Sequence, residues 1–315
     1  MGLPPTVGID LGGTKVAGVV VGPAGQRSAP VYRSHDGSGS GALATAFAVA
    51  EELADAHPRP AAVGFAVAGL VDRRTGALMR GALLGLSGSP VGSLLADRVG
   101  LPVVVENDAN AALAAQFDDT PATANVVLLV ALGTGVGGAV AAGGVIVDGS
   151  SGFAGEFGHI PVEAPGPHRC PCGSSGCLEL FASGPAVGRI AQRAGLAPSG
   201  DAAELISAAV AGNRPAHDIL ESAGTAIGTA LVGVVNALDP ATIYLAGGFG
   251  HAAAPFLIPA IERRLAAQRA FPTSRPLPRI IADPVGPIAA AVGAARIAQQ
   301  RIAGNPPRIP EGLSS

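Results

Sequence analysis

One arrangement occurs twice in this 315-residue chain and limits what it can become. Thr6 to Asp10 and Val16 to Val21 are short apolar runs separated by Leu11-Gly12-Gly13-Thr14-Lys15. Val126 to Leu132 and Val136 to Ala142 flank Gly133-Thr134-Gly135 in the same way. Apolar runs of this length, rich in β-branched residues and broken by glycine, read as buried strands joined by tight turns. After each hairpin, strand and helix signals alternate. In the first half these are helix over 42–56, strand over 62–68, strand over 103–106 and helix over 109–116. In the second half they are helix over 222–238, strand over 242–246, helix over 255–268, strand over 279–282 and helix over 288–302. Alternation of this kind predicts an α/β lobe, and its repetition predicts two similar lobes with a cleft between them.

Residues 1–118 are expected to form the N-terminal lobe, completed by the C-terminal helix over about 288–302, and residues 119–287 the C-terminal lobe. The segment 150–183 departs from the alternation and holds every cysteine, which makes it an insertion in the second lobe. Residues 303–315, rich in Pro and Gly, read as a mobile tail. The uncharged stretch from Ala122 to Val147 is long enough to raise a membrane span, but six glycines from Gly133 to Gly144 break it into strand-length pieces. A membrane is therefore not expected as a partner. Nor is nucleic acid, because the net charge is −3 and no Lys/Arg-rich run could track a phosphate backbone.

The glycine turns are where the chemistry concentrates. Asp10-Leu11-Gly12-Gly13-Thr14-Lys15 ends a strand in an acid and follows it with a turn whose N–H groups carry little shielding, which suits a phosphate and its Mg2+. A plain hairpin is the competing reading. Lys15, the sole lysine, serves either that phosphate or a surface ion pair. Gly133-Thr134-Gly135 repeats the device with a hydroxyl donor, and Gly247-Gly248 after a strand offers a close approach for adenosine. Together they predict a bound nucleotide.

Glu106-Asn107-Asp108-Ala109-Asn110 lies where a strand gives way to an alanine-rich helix, which places Asp108 at the N-cap. A cap explains one residue but not the acid–amide–acid cluster. A carboxylate there can take the proton of a hydroxyl during phosphoryl transfer, with Asn107 orienting a sugar beside it and Glu106 in a structural role.

Cys170, Cys172 and Cys177 sit within eight positions, an odd number and a spacing unlike a secreted disulfide framework. With His159 they form a Cys₃His set for a structural Zn2+, His168 being the rival fourth ligand. Glu156 and Glu179 flank this loop as hydrogen-bond partners for a ring of hydroxyls.

These residues resemble the ROK family of bacterial sugar kinases, glucokinases especially. Besides both turns and the Glu106–Asn110 cluster, Gly155-Glu156-Phe157-Gly158-His159 and Cys170-Pro171-Cys172-Gly173-Ser174-Ser175-Gly176-Cys177-Leu178-Glu179 appear in family order. The resemblance implies the two-lobed actin/hexokinase-type ATPase (ribonuclease H-like) fold, with a zinc-binding insertion in the second lobe and domain closure during catalysis. It implies Asp108 as base for transfer of the ATP γ-phosphate to a hexose, most like glucose to glucose 6-phosphate. Asn107, Asp108, Glu156, His159, Glu179 and the backbone near Gly69 would hold the sugar. Asp10, Gly12, Gly13, Thr14, Lys15, Gly133, Thr134, Gly135, Gly247 and Gly248 would hold ATP with Mg2+, and His159, Cys170, Cys172 and Cys177 the zinc. The resemblance also implies a homodimer or higher homo-oligomer in the cytoplasm, a dimer being the family's usual arrangement.

Two departures bear on specificity: Ala68 stands where the family commonly has Pro, and Gln116 where it has an acid. N-acetylmannosamine and other hexoses use nearly the same contacts, and some relatives accept polyphosphate. Family repressors carry an added N-terminal winged helix, for which a first strand starting near Val7 leaves no room. A non-catalytic sugar sensor is the third reading.

Overall fold

A computed structural model describes residues 3–57, 60–81, 85–117, 125–163, 168–271 and 273–304. From the N-terminus the chain forms β1 (Thr6–Leu11), β2 (Lys15–Val21), β3 (Val31–Ser34), α1 (Gly39–Ala56), β4 (Val63–Val67), β5 (Leu70–Asp72), β6 (Ala77–Arg80), α2 (Val91–Val99), β7 (Val103–Asn107) and α3 (Asp108–Ala114). Next come β8 (Val126–Leu132), β9 (Val136–Ala142), β10 (Val145–Ile146), α4 (Glu179–Ala182), α5 (Gly184–Arg193) and α6 (Ala202–Val210). The chain ends with α7 (Arg214–Leu238), β11 (Thr242–Ala246), α8 (Gly248–Gln268), β12 (Arg279–Ala282) and α9 (Ala289–Ile302). These elements divide into two compact units, one drawing on 1–122, 144–154 and 287–315, the other on 123–143 and 155–286. Residues 150–154, expected in the second-lobe insertion, thus cluster with the first unit. Most of the expected tail, 305–315, lies outside the described residues.

In the first unit the sheet order is β3-β2-β1-β4-β7. The β1–β2 pair is antiparallel, whereas β1, β4 and β7 run parallel, as strands joined by crossover helices must. Val7, Ile9, Leu11, Phe65 and Leu95 are fully buried, and Phe47 of α1 meets Phe65 edge to face. On the sheet's other face α9 comes unusually close. A Cβ on Gly64 would stand 2.0 Å from the Ala294 carbonyl oxygen, and one on Gly8 1.9 Å from that of Ala291. Glycine at these strand positions is therefore a packing requirement rather than a turn signal.

The second unit repeats the plan. Its sheet order β9-β8-β11-β12 copies β2-β1-β4-β7, with an antiparallel hairpin followed by parallel neighbours. The 25-residue α7 is long and apolar enough to cross a membrane by length and composition alone. Its Leu220, Ile227, Leu231 and Val235 recur at helical spacing and lie in the core of this unit. The stretch that raised a span in the sequence forms β8, β9 and β10, apart from 122–124, which lie outside the described residues.

Most strands fall where the periodicity placed them, and two helix starts do not. Helix α7 begins eight residues before Ser222, with Asn213 capping it. Helix α8 begins at Gly248 and continues through Pro255 and Pro259, although Pro255 was read as its first residue. Proline fits the first helical turn best, which favoured that reading. Here the packed face of Phe249, Ala253 and Leu257 outweighs the lost backbone bonds.

Candidate active site

Parallel strands in register finish together, and in the first unit this gathers the acidic cluster. Asp10 pairs in register with Ala66, and Ala66 with Glu106; Leu11 pairs with Val67, and Val67 with Asn107. The carboxyl ends of β1, β4 and β7 thus deliver Asp10, Gly69 and the 106–110 segment to one sheet edge, where open α/β sheets bind ligands.

At the β7–α3 junction the sequence expectation needs correction. Asn107, not Asp108, is the N-cap: its Oδ1 accepts the Asn110 N–H at 3.0 Å, and its backbone is extended. An uncharged amide in extended backbone satisfies the orphan donor, so Asp108 enters the helix as its first residue. Its Oδ1 accepts the Ala109 N–H at 2.9 Å. The Asn107 Nδ2 donates to the Gly69 carbonyl at 3.1 Å. Gly69 has φ +136, a conformation a side chain would strain, so this carbonyl is aimed by a glycine.

Glu106 is buried and saturated. Its Oε1 accepts the Asn107 N–H at 2.9 Å and the Asn110 Nδ2 at 3.2 Å, while Oε2 meets Arg73 Nη2 at 2.5 Å. Arg73 also pairs with Asp148. Sequence reasoning gave Glu106 a structural role and passed over Arg73 and Asp148. Neither has a local signal, because both are remote in sequence from the residue they serve.

The first glycine turn closes through the Gly12 N–H to the Lys15 carbonyl at 3.1 Å. Lys15 and Thr14 are exposed, and the Lys15 ammonium stands 5.2 Å from the Tyr32 ring centroid. His35, treated in the sequence as ordinary, braces this turn. Its Nδ1 accepts the Gly37 N–H at 3.1 Å, which leaves Nε2 to donate to the Gly12 carbonyl at 3.0 Å.

In the second unit the matching turn is held from three sides. The Gly133 N–H donates to the Gly135 carbonyl at 3.0 Å, the Gly184 N–H donates to the Gly133 carbonyl at 2.9 Å, and Glu179 Oε2 accepts the Val136 N–H at 3.0 Å. Gly247 has φ +82, and a Cβ there would stand 2.4 Å from the Leu132 carbonyl oxygen, so β11 hands over to α8 directly against this turn.

Cys170, Cys172, Cys177 and His159 converge, with one ligand atom from each lying within 4.8 Å of all the others. A tetrahedral zinc with Zn–S near 2.3 Å and Zn–N near 2.05 Å requires S···S of about 3.75 Å and S···N of about 3.6 Å. Cys172 Sγ to Cys177 Sγ is 3.7 Å and Cys170 Sγ to His159 Nδ1 is 3.6 Å. The four residues therefore fit the ion. Without a metal charge nearby, burial followed by the neighbouring Cys172 and Cys170 pushes the Cys177 thiol up to about 12. A bound divalent cation would reverse that by holding thiolates. His168 is excluded from the set, since its Nδ1 pairs with Glu163 at 3.1 Å and its ring packs edge-on to Phe181. The other nitrogen of His159, Nε2, lies 3.7 Å from Glu156 Oε2.

Residues 6–301 match the ROK family. The chain belongs to that family. Among its relatives, the glucokinase of Halalkalibacterium halodurans is 33% identical over 80% of this chain and 83% of its own length. The glucokinase of Streptomyces coelicolor is 33% identical over 95% of this chain and 98% of its own. The crystal structure of a ROK family glucokinase from Streptomyces griseus, in complex with glucose and AMPPNP, superposes with a TM-score of 0.83 at 31% identity, covering 94% of this chain and 99% of that one.

In this ROK chain Asp10 is the most perturbed acid of the first turn. Burial, reinforced by the Asp108 charge and opposed by Lys15, pushes its carboxyl up to about 7. An unfolded aspartate ionises near pH 3.9, so between about pH 4 and about pH 7 the native chain holds a proton that the unfolded chain lacks, and stability falls as pH rises. Zinc-loaded, magnesium-free wild type is expected to lose melting temperature between about pH 4 and about pH 7, with a flatter profile for Asp10→Asn. Magnesium, which favours the ionised carboxylate, should shrink the difference. Parallel profiles for the two proteins would contradict the assignment.

Proposed function

We propose that this chain is an ATP-dependent hexose kinase whose preferred substrate is glucose, yielding glucose 6-phosphate, with Asp108 as catalytic base. The observation that carries this reading is the division of labour at the β7–α3 junction. Asn107 performs the capping, and Asp108 stands beside Asp10 at the end of a parallel sheet with its carboxylate in the first helical turn. A carboxylate placed this way accepts the proton of the attacking hydroxyl as the phosphoryl group transfers.

Within the first unit, Asn107 and the Gly69 backbone are assigned to the sugar. Asp10 is assigned to Mg2+, and Gly12, Gly13, Thr14 and Lys15 to phosphate. Within the second unit, Glu156, His159 and Glu179 are assigned to sugar hydroxyls, Gly133, Thr134 and Gly135 to phosphate, and Gly247 and Gly248 to adenosine. Zinc would be held by His159 Nδ1 and the three cysteines; it fills all four positions with protein ligands and supplies rigidity rather than Lewis-acid chemistry. With Nδ1 on the metal, Nε2 carries a proton and can donate to a sugar oxygen, with Glu156 beside it. A cysteine spacing that suits a metal rather than a secreted disulfide framework supports a cytoplasmic location, and the family likeness supports a homodimer or higher homo-oligomer. N-acetylmannosamine or another hexose is the second reading, because Ala68 and Gln116 depart from the family pattern, although both lie outside the catalytic cluster.

Two outcomes are expected. With ATP, magnesium and a panel of hexoses, purified protein turns over on glucose, and Asp108→Asn lowers kcat by about 10²–10⁴-fold while sugar affinity stays near wild type. Loss of sugar binding together with turnover would count against Asp108 as base. Elemental analysis of active protein is expected to find about one zinc per chain. Fully active protein without zinc would sink the metal assignment.

A further inference from the structure

Glu179 follows the last cysteine of the metal cluster by two residues, and the residue between them, Leu178, is fully buried. Leu178 is also pinned by its N–H to the Ile160 carbonyl at 2.9 Å, one residue past His159. The Pro161–Cys177 bridge and the Val162 N–H to the Gly176 carbonyl at 2.8 Å continue this ladder. Cluster and ladder together leave the start of α4 little freedom. From that start the Glu179 carboxylate reaches the other way, accepting the Val136 N–H at 3.0 Å where the second glycine turn enters β9. The contact is close: a Cβ on Gly135 would stand 2.6 Å from Glu179 Oε2, so the turn's last glycine makes room for this oxygen.

From this geometry we infer that Glu179 is a positioning residue for the glycine turn Gly133-Thr134-Gly135, through which the Cys₃His loop sets the shape of a nucleotide site. The inference rests on the assignment of that turn to phosphate. Glu179 Oε2 accepts the Val136 N–H, so the side chain assigned above to a sugar hydroxyl also holds this turn. An unheld Val136 N–H would let the turn relax, since among the described residues the Gly184 N–H and the turn's own Gly133–Gly135 bond would then be its remaining hydrogen-bond restraints.

The test is calorimetric titration of a non-hydrolysable ATP analogue with magnesium into zinc-loaded protein, with no sugar present. Glu179→Ala is expected to weaken analogue binding about 10-fold, the scale of losing one hydrogen bond, while Glu179→Gln, which keeps a carbonyl acceptor, stays near wild type. A role confined to sugar would leave analogue affinity equal in wild type and both Glu179 variants, and that result overturns the inference. Equal losses in the Ala and Gln variants overturn it too, since charge rather than the bond would then matter. Wild-type protein that binds no analogue would overturn the kinase reading itself and this inference with it. Should Glu179→Ala lose zinc or cooperative melting, Glu179→Asp, a methylene too short to reach Val136, takes its place with the same expectation.

Discussion

The geometry of the acidic cluster depends on how Asn107 is held at the end of β7. Its backbone N–H, its Oδ1 and its Nδ2 each make one hydrogen bond, to Glu106, to the Asn110 N–H and to the Gly69 carbonyl. Those three bonds fix where the strand stops, where the helix starts and how the 69–70 segment approaches. They also place Asp108 in the first helical turn, with the cap supplied by its neighbour. Beneath them the buried Glu106 carboxyl is met by Arg73 and the Asn110 amide. Removing one partner of such a buried pair leaves an uncompensated charge, at a cost of about 3–5 kcal/mol. The network is thus a requirement of the junction, not an ornament on it.

The second unit solves a similar problem by different means. Its glycine turn lies at the head of the corresponding hairpin and is braced by Glu179, which follows the loop that carries the metal-ligating residues 159, 170, 172 and 177. The short ladder around Cys177 holds the end of that loop in place. Where the first unit uses strand register to bring its groups together, the second uses a clamp.

Much of this was legible in the sequence, for identifiable reasons. The strands β8, β9, β11 and β12 matched their apolar runs because glycine turns and charged ends bound them sharply. The Cys₃His set was legible because every cysteine of the chain falls within eight positions, a spacing that suits a metal better than a disulfide framework. Only three dimensions separate His159 from His168, the latter being turned to Glu163. The cap at Asn107 was misplaced because Asn and Asp are both favoured caps and adjacent in sequence, so composition does not choose between them. His35, Arg73 and Asp148 were silent because their partners are distant in sequence. Helix α8 was cut short because proline is a local signal and the packing that overrides it is not.

The central claim is that this ROK chain transfers the terminal phosphate of ATP to a sugar hydroxyl. The direct measurement is phosphorus NMR of purified protein with ATP, magnesium and glucose. Appearance of a hexose 6-phosphate resonance in step with ADP would be the predicted result. ATP that stays intact with every hexose offered, while the protein binds sugar, would contradict the claim and make the chain a sensor.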